Sequence, residues 1–217
     1  MPVIPLIRRL KRQIHRDVAV AQDMLVDELY TSLPGAVIHG GTAIWRCYGS
    51  SRFSEDVDVY LPVAIKGSSR IKEFLNSLKS EGFIVNKFKL TDNMIYAKFL
   101  YGKVVISFEA LFKNVKFIAK PFERHDGTFI NVYTLSPEVL VVEKVVTYTK
   151  RRKVRDLYDI YFLLNLCEKI ERIKQNLRAF LRDFKPPIDE KELKTLIIVG
   201  AVPSSGDMLT EVGRWVK

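Results

Sequence analysis

The stretch His39-Gly40-Gly41-Thr42-Ala43-Ile44-Trp45-Arg46-Cys47-Tyr48-Gly49-Ser50-Ser51-Arg52-Phe53-Ser54-Glu55-Asp56-Val57-Asp58 gathers most of the chemistry this chain offers. A short apolar run, Ala36–His39, leads into it, and Thr42–Tyr48 has room for one or two helical turns. Two glycines at a strand-to-helix junction let the backbone approach a ligand closely, and the helix N-terminus that follows favours an anion. Thr42 and Ser54 add hydroxyls; Arg46 and Arg52 add cations. Beyond them Asp56–Leu61 alternates. Asp56, Asp58 and Tyr60 share one face and Val57, Val59 and Leu61 the other, the period of a strand with its polar face presented for use. The two aspartates are then about 7 Å apart along the chain. Carboxylates that close repel unless a cation lies between them, and oxygen-rich sites suit Mg²⁺, which keeps waters and binds phosphates. Alone, Gly-Gly also fits a plain tight turn, and Asp-x-Asp a solvent-facing strand. Their combination with hydroxyls and arginines is what resists the plainer account.

Working outward, Leu6–Leu33 carries Leu6, Leu10, Ile14, Val18, Ala21, Leu25 and Leu29 at three- and four-residue spacing, which predicts one long amphipathic helix stopped by Pro34-Gly35. Ser69–Ser80 predicts a second helix. Phe83–Leu90, Asn93–Leu100 and Val104–Leu111 read as strands of an antiparallel meander, and Phe129–Tyr133 as one more strand. From Ser136 the pattern is helical: Pro137–Lys150, Lys153–Leu166, Glu168–Phe184, Glu190–Ile198 and Gly206–Val216, with Ser136 as N-cap and Pro137 at the first helical position. A sheet-bearing part, 1–135, thus precedes an all-helical part, 136–217, and the fold class is α+β.

Composition sets the outer bounds. The chain has 217 residues, 47% hydrophobic, which excludes intrinsic disorder and collagen-like sequence. No apolar run approaches the roughly 18–20 residues of a bilayer span, and the start does not read as a secretory signal, so a cytoplasmic protein without a membrane partner is expected. Two distant cysteines, Cys47 and Cys167, fit free thiols. With 35 Lys+Arg against 25 Asp+Glu the net charge is +10, which points to a polyanionic partner, nucleic acid or nucleotide.

The residues Gly40-Gly41-Thr42-Ala43, Arg46, Tyr48-Gly49 and Arg52-Phe53-Ser54-Glu55-Asp56-Val57-Asp58 together resemble the signature of the AbiEii/AbiGii abortive-infection toxin nucleotidyltransferases, a branch of the DNA polymerase β-like nucleotidyltransferase superfamily. A second match is Glu138-Val139-Leu140, Lys144, Arg151 and Arg155-Asp156-Leu157-Tyr158-Asp159-Ile160-Tyr161, which resembles the family's downstream motif of a lysine followed by an Arg-Asp-x-Tyr-Asp helix. The resemblance spans roughly residues 36–165. It implies a minimal nucleotidyltransferase mixed sheet with flanking helices, followed by the helical C-terminal lobe. It also implies a third carboxylate on a neighbouring strand, for which Glu109 is the candidate, since Val105, Ser107 and Glu109 share a strand face.

By that resemblance Asp56, Asp58 and Glu109 are metal ligands for Mg²⁺. Asp56, Asp58, Glu109, Lys144, Asp156 and Asp159 form the catalytic set, and Gly40, Gly41, Thr42, Arg46, Arg52, Ser54 and Lys144 bind the nucleotide. The bottom-up alternative for Asp156 and Asp159, which share a helix face, is pairing with Arg152 or Arg155. Lys144 lies among Val141, Val142, Val145 and Val146, an unusual place for a solvated lysine, so it needs an anion, either the triphosphate or the carboxylates Asp156 and Asp159. The run Lys150-Arg151-Arg152-Lys153-Val154-Arg155 reads either as a solvated helix junction or as a track for an RNA backbone. The implied function is Mg²⁺-dependent transfer of a nucleoside monophosphate from an NTP to a hydroxyl of RNA, such as a tRNA 3′ end. The implied role is that of a toxin countered by an antitoxin protein. Two rivals are the same chemistry on a protein acceptor, and a non-catalytic RNA- or partner-binding protein built on a decayed nucleotidyltransferase.

Overall fold

The computed structural model describes residues 4–217. The chain forms two compact units. One takes the chain up to Tyr48 together with Ser54–Leu135; the other takes Gly49–Phe53 together with Ser136–Lys217.

In the sheet unit, α1 (Leu6–Arg9) and α2 (Gln13–Ser32) replace the single helix expected over Leu6–Leu33. The backbone is extended at Leu10 and Arg12. Leu10 is fully buried, and Arg16 Nε donates to its carbonyl at 2.8 Å, so the break is held by packing and by a hydrogen bond. The apolar spacing continues across the break, which is why periodicity alone misses it. After α2 come β1 (Val37–His39), α3 (Gly40–Tyr48), β2 (Val57–Leu61), α4 (Arg70–Ser80), β3 (Ile84–Leu90), β4 (Met94–Tyr101), β5 (Val104–Phe112), β6 (Ile118–Glu123) and β7 (Phe129–Thr134). They build one mixed seven-stranded sheet in the order β3-β4-β5-β2-β1-β7-β6.

The β3–β4–β5 meander is antiparallel as expected. β2 runs parallel to β5 and antiparallel to β1, which runs parallel to β7. β6 was not expected. Pro121 interrupts its sequence pattern, but β6 is an edge strand, where a residue without an N–H is tolerated. α2 and α4 pack together on one face of the sheet. Phe74 of α4 meets Phe108 and Phe99 at ring-centroid distances of 5.6 and 6.3 Å. Each such buried phenylalanine contributes about 1.5–3 kcal/mol over an exposed one. Ile95, Ala97, Phe99, Ile106, Phe108 and Ala110 fill this side, so the alternate residues of β4 and β5 are left on the other.

The helical unit contains α5 (Pro137–Arg151), α6 (Val154–Leu164), α7 (Lys174–Arg182), α8 (Leu193–Leu196) and α9 (Ser205–Arg214). Ser136 occupies the N-cap of α5 without a side-chain capping bond, and Pro137 fits its first turn. Two expected helices are shorter than their spacing suggests. Glu168–Phe184 resolves into a 3₁₀ turn at Ile170–Arg172 and α7, and Glu190–Ile198 into a 3₁₀ turn at Glu190–Glu192 and the single turn α8. Gly49–Phe53 belongs here through Ile198 N–H donating to Ser51 O at 2.8 Å and Phe53 N–H to Leu196 O at 2.9 Å. Among the described residues no helix is long and apolar enough to cross a membrane.

Candidate active site

β2 brings Asp58 to the middle of the sheet, with Glu109 of β5 opposite it on one side and His39 of β1 on the other. Residues in register on adjacent strands point to the same face, about 4.8 Å apart. The same rung continues to Tyr96 of β4 and Lys89 of β3. His39 stacks on Tyr60, with ring centroids 4.0 Å apart and planes 8° from parallel. Partial burial raises the Glu109 carboxyl above its ordinary value, and the charges of Asp58 and Asp56 push it the same way against the opposing effect of His39. Asp56 lies just before β2, half-buried. The three carboxylates therefore share one electrostatic neighbourhood. Among the described residues no three His, Cys, Asp or Glu side chains are gathered as a ready metal-ligating group. Mg²⁺ does not need such a cage, since it takes one or two carboxylates and completes its shell with water and phosphate oxygens. The oxygen-only, mutually repelling Asp58–Glu109 pair fits that requirement.

The first glycine of the pair sits against the side chain of Asp58. Gly40 has φ +67°, and a Cβ there would overlap Asp58 Oδ2. The close approach that glycine permits is thus to a carboxylate of the protein itself, set against the start of α3, where an anion is favoured. Thr42 is fully buried, and its hydroxyl donates to the Asp56 carbonyl. It holds the entry to β2 in place; its hydroxyl is not presented to a ligand. Gln22 of α2 assists: its Nε2 donates to the carbonyls of Ser54 at 3.0 Å and Glu55 at 3.1 Å. Sequence reasoning missed Gln22. The available signal was a glutamine and an aspartate, Gln22 and Asp23, inside the buried stripe of α2.

Arg46, expected at the nucleotide, is 2% exposed. Its guanidinium pairs with Asp23, donates from Nε to Glu123 O at 2.6 Å, and lies over the Trp45 and Phe122 rings at 4.9 and 4.5 Å. Arg52, also expected at the nucleotide, has protein partners too. It is buried in the helical unit and bidentate to Asp159, with Nε–Oδ1 at 2.7 Å and Nη2–Oδ2 at 2.9 Å. Both guanidinium groups are buried and engaged with groups of the protein itself.

Lys144 of α5, 7% exposed, meets Asp159 Oδ2 at 2.8 Å and Asp156 Oδ1 at 3.5 Å. Arg151 is bidentate to Asp156 at 2.7 and 2.9 Å. Three cations thus surround two fully buried carboxylates of α6. Burial raises the Asp159 pKa, but Arg52 and Lys144 outweigh it and hold the carboxyl below its ordinary value. The carboxylates pair with Lys144, as one of the two readings of that lysine has it, and with Arg151 and Arg52 rather than Arg152 or Arg155. The basic run is largely engaged within its own unit: besides Arg151, Arg152 donates to Pro186 O and Lys153 pairs with Asp189 at 3.3 Å. Lys150 is exposed and Arg155 half-buried.

A mixed sheet with carboxylates in register on adjacent strands, next to a glycine-opened helix start, defines a nucleotidyltransferase fold. Three solved structures share it: MenT4, a nucleotidyltransferase toxin from Mycobacterium tuberculosis H37Rv (TM-score 0.67, 17% identity, 97% of this chain and 87% of that one); a putative nucleotidyltransferase from H. pylori (0.61, 18%, 94% and 94%); and JHP933 from Helicobacter pylori (0.56, 19%, 91% and 90%). No curated protein matches the sequence. The profile of the family described as "Nucleotidyl transferase AbiEii toxin, Type IV TA system" matches residues 25–200. The chain belongs to this AbiEii toxin family, and it is a nucleotidyltransferase.

Proposed function

We propose that this enzyme transfers a nucleoside monophosphate from an NTP to a hydroxyl of RNA, such as a tRNA 3′ end, in a Mg²⁺-dependent reaction, as the toxin partner of an antitoxin protein. The observation that carries the reading is the Asp58–Glu109 register across β2 and β5, with Asp56 alongside. Asp56, Asp58 and Glu109 would hold the cation, which when bound would neutralise phosphate charge and make the acceptor hydroxyl more acidic. The acceptor oxygen attacks the α-phosphorus as the bond to the bridging oxygen breaks. Pyrophosphate leaves, and the hydroxyl proton passes to solvent.

The chain's own part is positioning. Gly40 leaves clearance for the Asp58 carboxylate, while Thr42 and Gln22 fix the Ser54–Asp56 approach to β2. The +10 net charge supports a polyanionic acceptor. The test is incubation with each α-³²P-labelled NTP, Mg²⁺, total RNA and total protein. Label entering RNA with release of pyrophosphate is the expected result. Label entering only protein moves the acceptor to the rival class, and no label anywhere overturns the reading.

A further inference from the structure

The open face of the β3–β4–β5 meander carries Lys87, Lys89 and Lys98, all exposed, on the same side of the sheet as the carboxylates. Register fixes their order. Lys89, Tyr96, Glu109 and Asp58 form one rung across β3, β4, β5 and β2. Lys87, Lys98 and Ser107 form a second rung beside it. At about 4.8 Å per strand step, Lys89 stands about 14 Å from Asp58, and Lys98 is nearer to Glu109, one strand over and two residues along. The Lys87 ammonium lies over the Tyr96 ring at 5.3 Å, which keeps it on this face. The register of β3 against β4 shifts between Val85 and Lys87.

We infer that this face is the docking surface for the single-stranded 3′ end of the acceptor RNA, its backbone running over Lys98, Lys87 and Lys89 toward Asp58 and Glu109. The inference rests on the proposed RNA acceptor. Charge decides the occupant. Three exposed ammonium groups within reach of one another attract a polyanion, and a line of them leading to an anionic centre orients a chain whose terminus is to react. The other cationic candidate, the run Lys150–Arg155, has three of its five cations engaged with Asp156, Pro186 and Asp189.

The experiment measures binding of a 5′-fluorescein-labelled, single-stranded RNA dodecamer to the full chain across a salt series. The wild type is compared with Lys87→Ala/Lys89→Ala/Lys98→Ala and with the three Lys→Arg replacements, and the melting temperature of each protein is recorded. The alanine variant should bind about tenfold more weakly at low salt. Its log–log salt slope should fall by about 2, near 0.7 for each lost contact, while the arginine variant keeps wild-type binding. An alanine variant that melts normally and keeps the wild-type affinity and slope overturns the surface while leaving the RNA acceptor standing. A wild type that labels only protein and binds no RNA overturns both.

Discussion

Lys144 Nζ and Asp159 Oδ2 stand 2.8 Å apart inside the helical unit, and Arg52 closes bidentately on the same carboxylate. Removing Lys144 takes one of three cations from this buried cluster while Arg52 and Arg151 keep the carboxylates paired, so the cost lies at the low end of the about 3–5 kcal/mol for breaking a buried pair. For a chain of this size that is a fall in melting temperature on the order of 10 °C. Lys144→Met is therefore expected to act mainly on stability, as read by thermal melts. A normal melt with a raised KM for NTP would give the lysine to the nucleotide instead.

The same carboxylate sets a pH dependence. Asp159 is buried, which raises its pKa, but Arg52 and Lys144 prevail and the folded-state value is depressed. A depressed carboxyl contributes stability that is present above its unfolded value, about 3.9, and is lost as pH falls through the folded value. Wild type should thus lose stability steeply below about pH 4. Asp159→Asn should be less stable at neutral pH and show a shallower acid limb, which urea unfolding at stepped pH would resolve.

Asp58→Asn should lower transfer by at least about 100-fold, given the several kcal/mol a bound metal supplies. It should change the melting temperature little, because the repulsion from Glu109 that it relieves offsets the attraction lost at the start of α3. Mg²⁺ should raise the melting temperature of the wild type and leave that of the variant nearly unchanged. Full activity in the purified variant would remove Asp58 from the site.

Gly40→Ala combines a positive φ with overlap on Asp58 Oδ2. The backbone strain alone costs about 1–3 kcal/mol, a few degrees of melting temperature. The displaced carboxylate should make the loss of transfer larger than that strain implies. Parallel melts and transfer assays check it, and retained activity at a lowered melting temperature would confine Gly40 to the fold.

Period-two alternation in Asp56–Leu61 and Val104–Leu111 was enough to bring Asp58 and Glu109 to one face, because strand geometry leaves a side chain only two directions. The α+β class followed from the same patterns. The arginines were not legible. Arg46 and Arg52 look identical to phosphate ligands in a sequence, and only folding brings Asp23 and Asp159 to them across distant segments. Helix boundaries failed where apolar spacing ran through a break, at Leu10–Arg12 and before Lys174. β6 was hidden by Pro121, whose acceptability depends on an edge position that local sequence does not reveal. The lysines of the meander carried no signal until register joined Lys89 to Asp58 through Tyr96 and Glu109.

The Gly49–Phe53 segment packs with residues made much later, Arg52 finding Asp159 107 positions downstream and Phe53 bonding to Leu196. A nascent chain leaving the ribosome holds α3 and β2 long before these partners exist. The linker immediately preceding Ser54–Asp56 therefore reaches its final conformation only after Asp159 and Leu196 have been made. For a toxin this holds back completion of the enzyme until its helical unit has been made, and a chain cut short after Leu135 would leave the Arg52 guanidinium without its carboxylate.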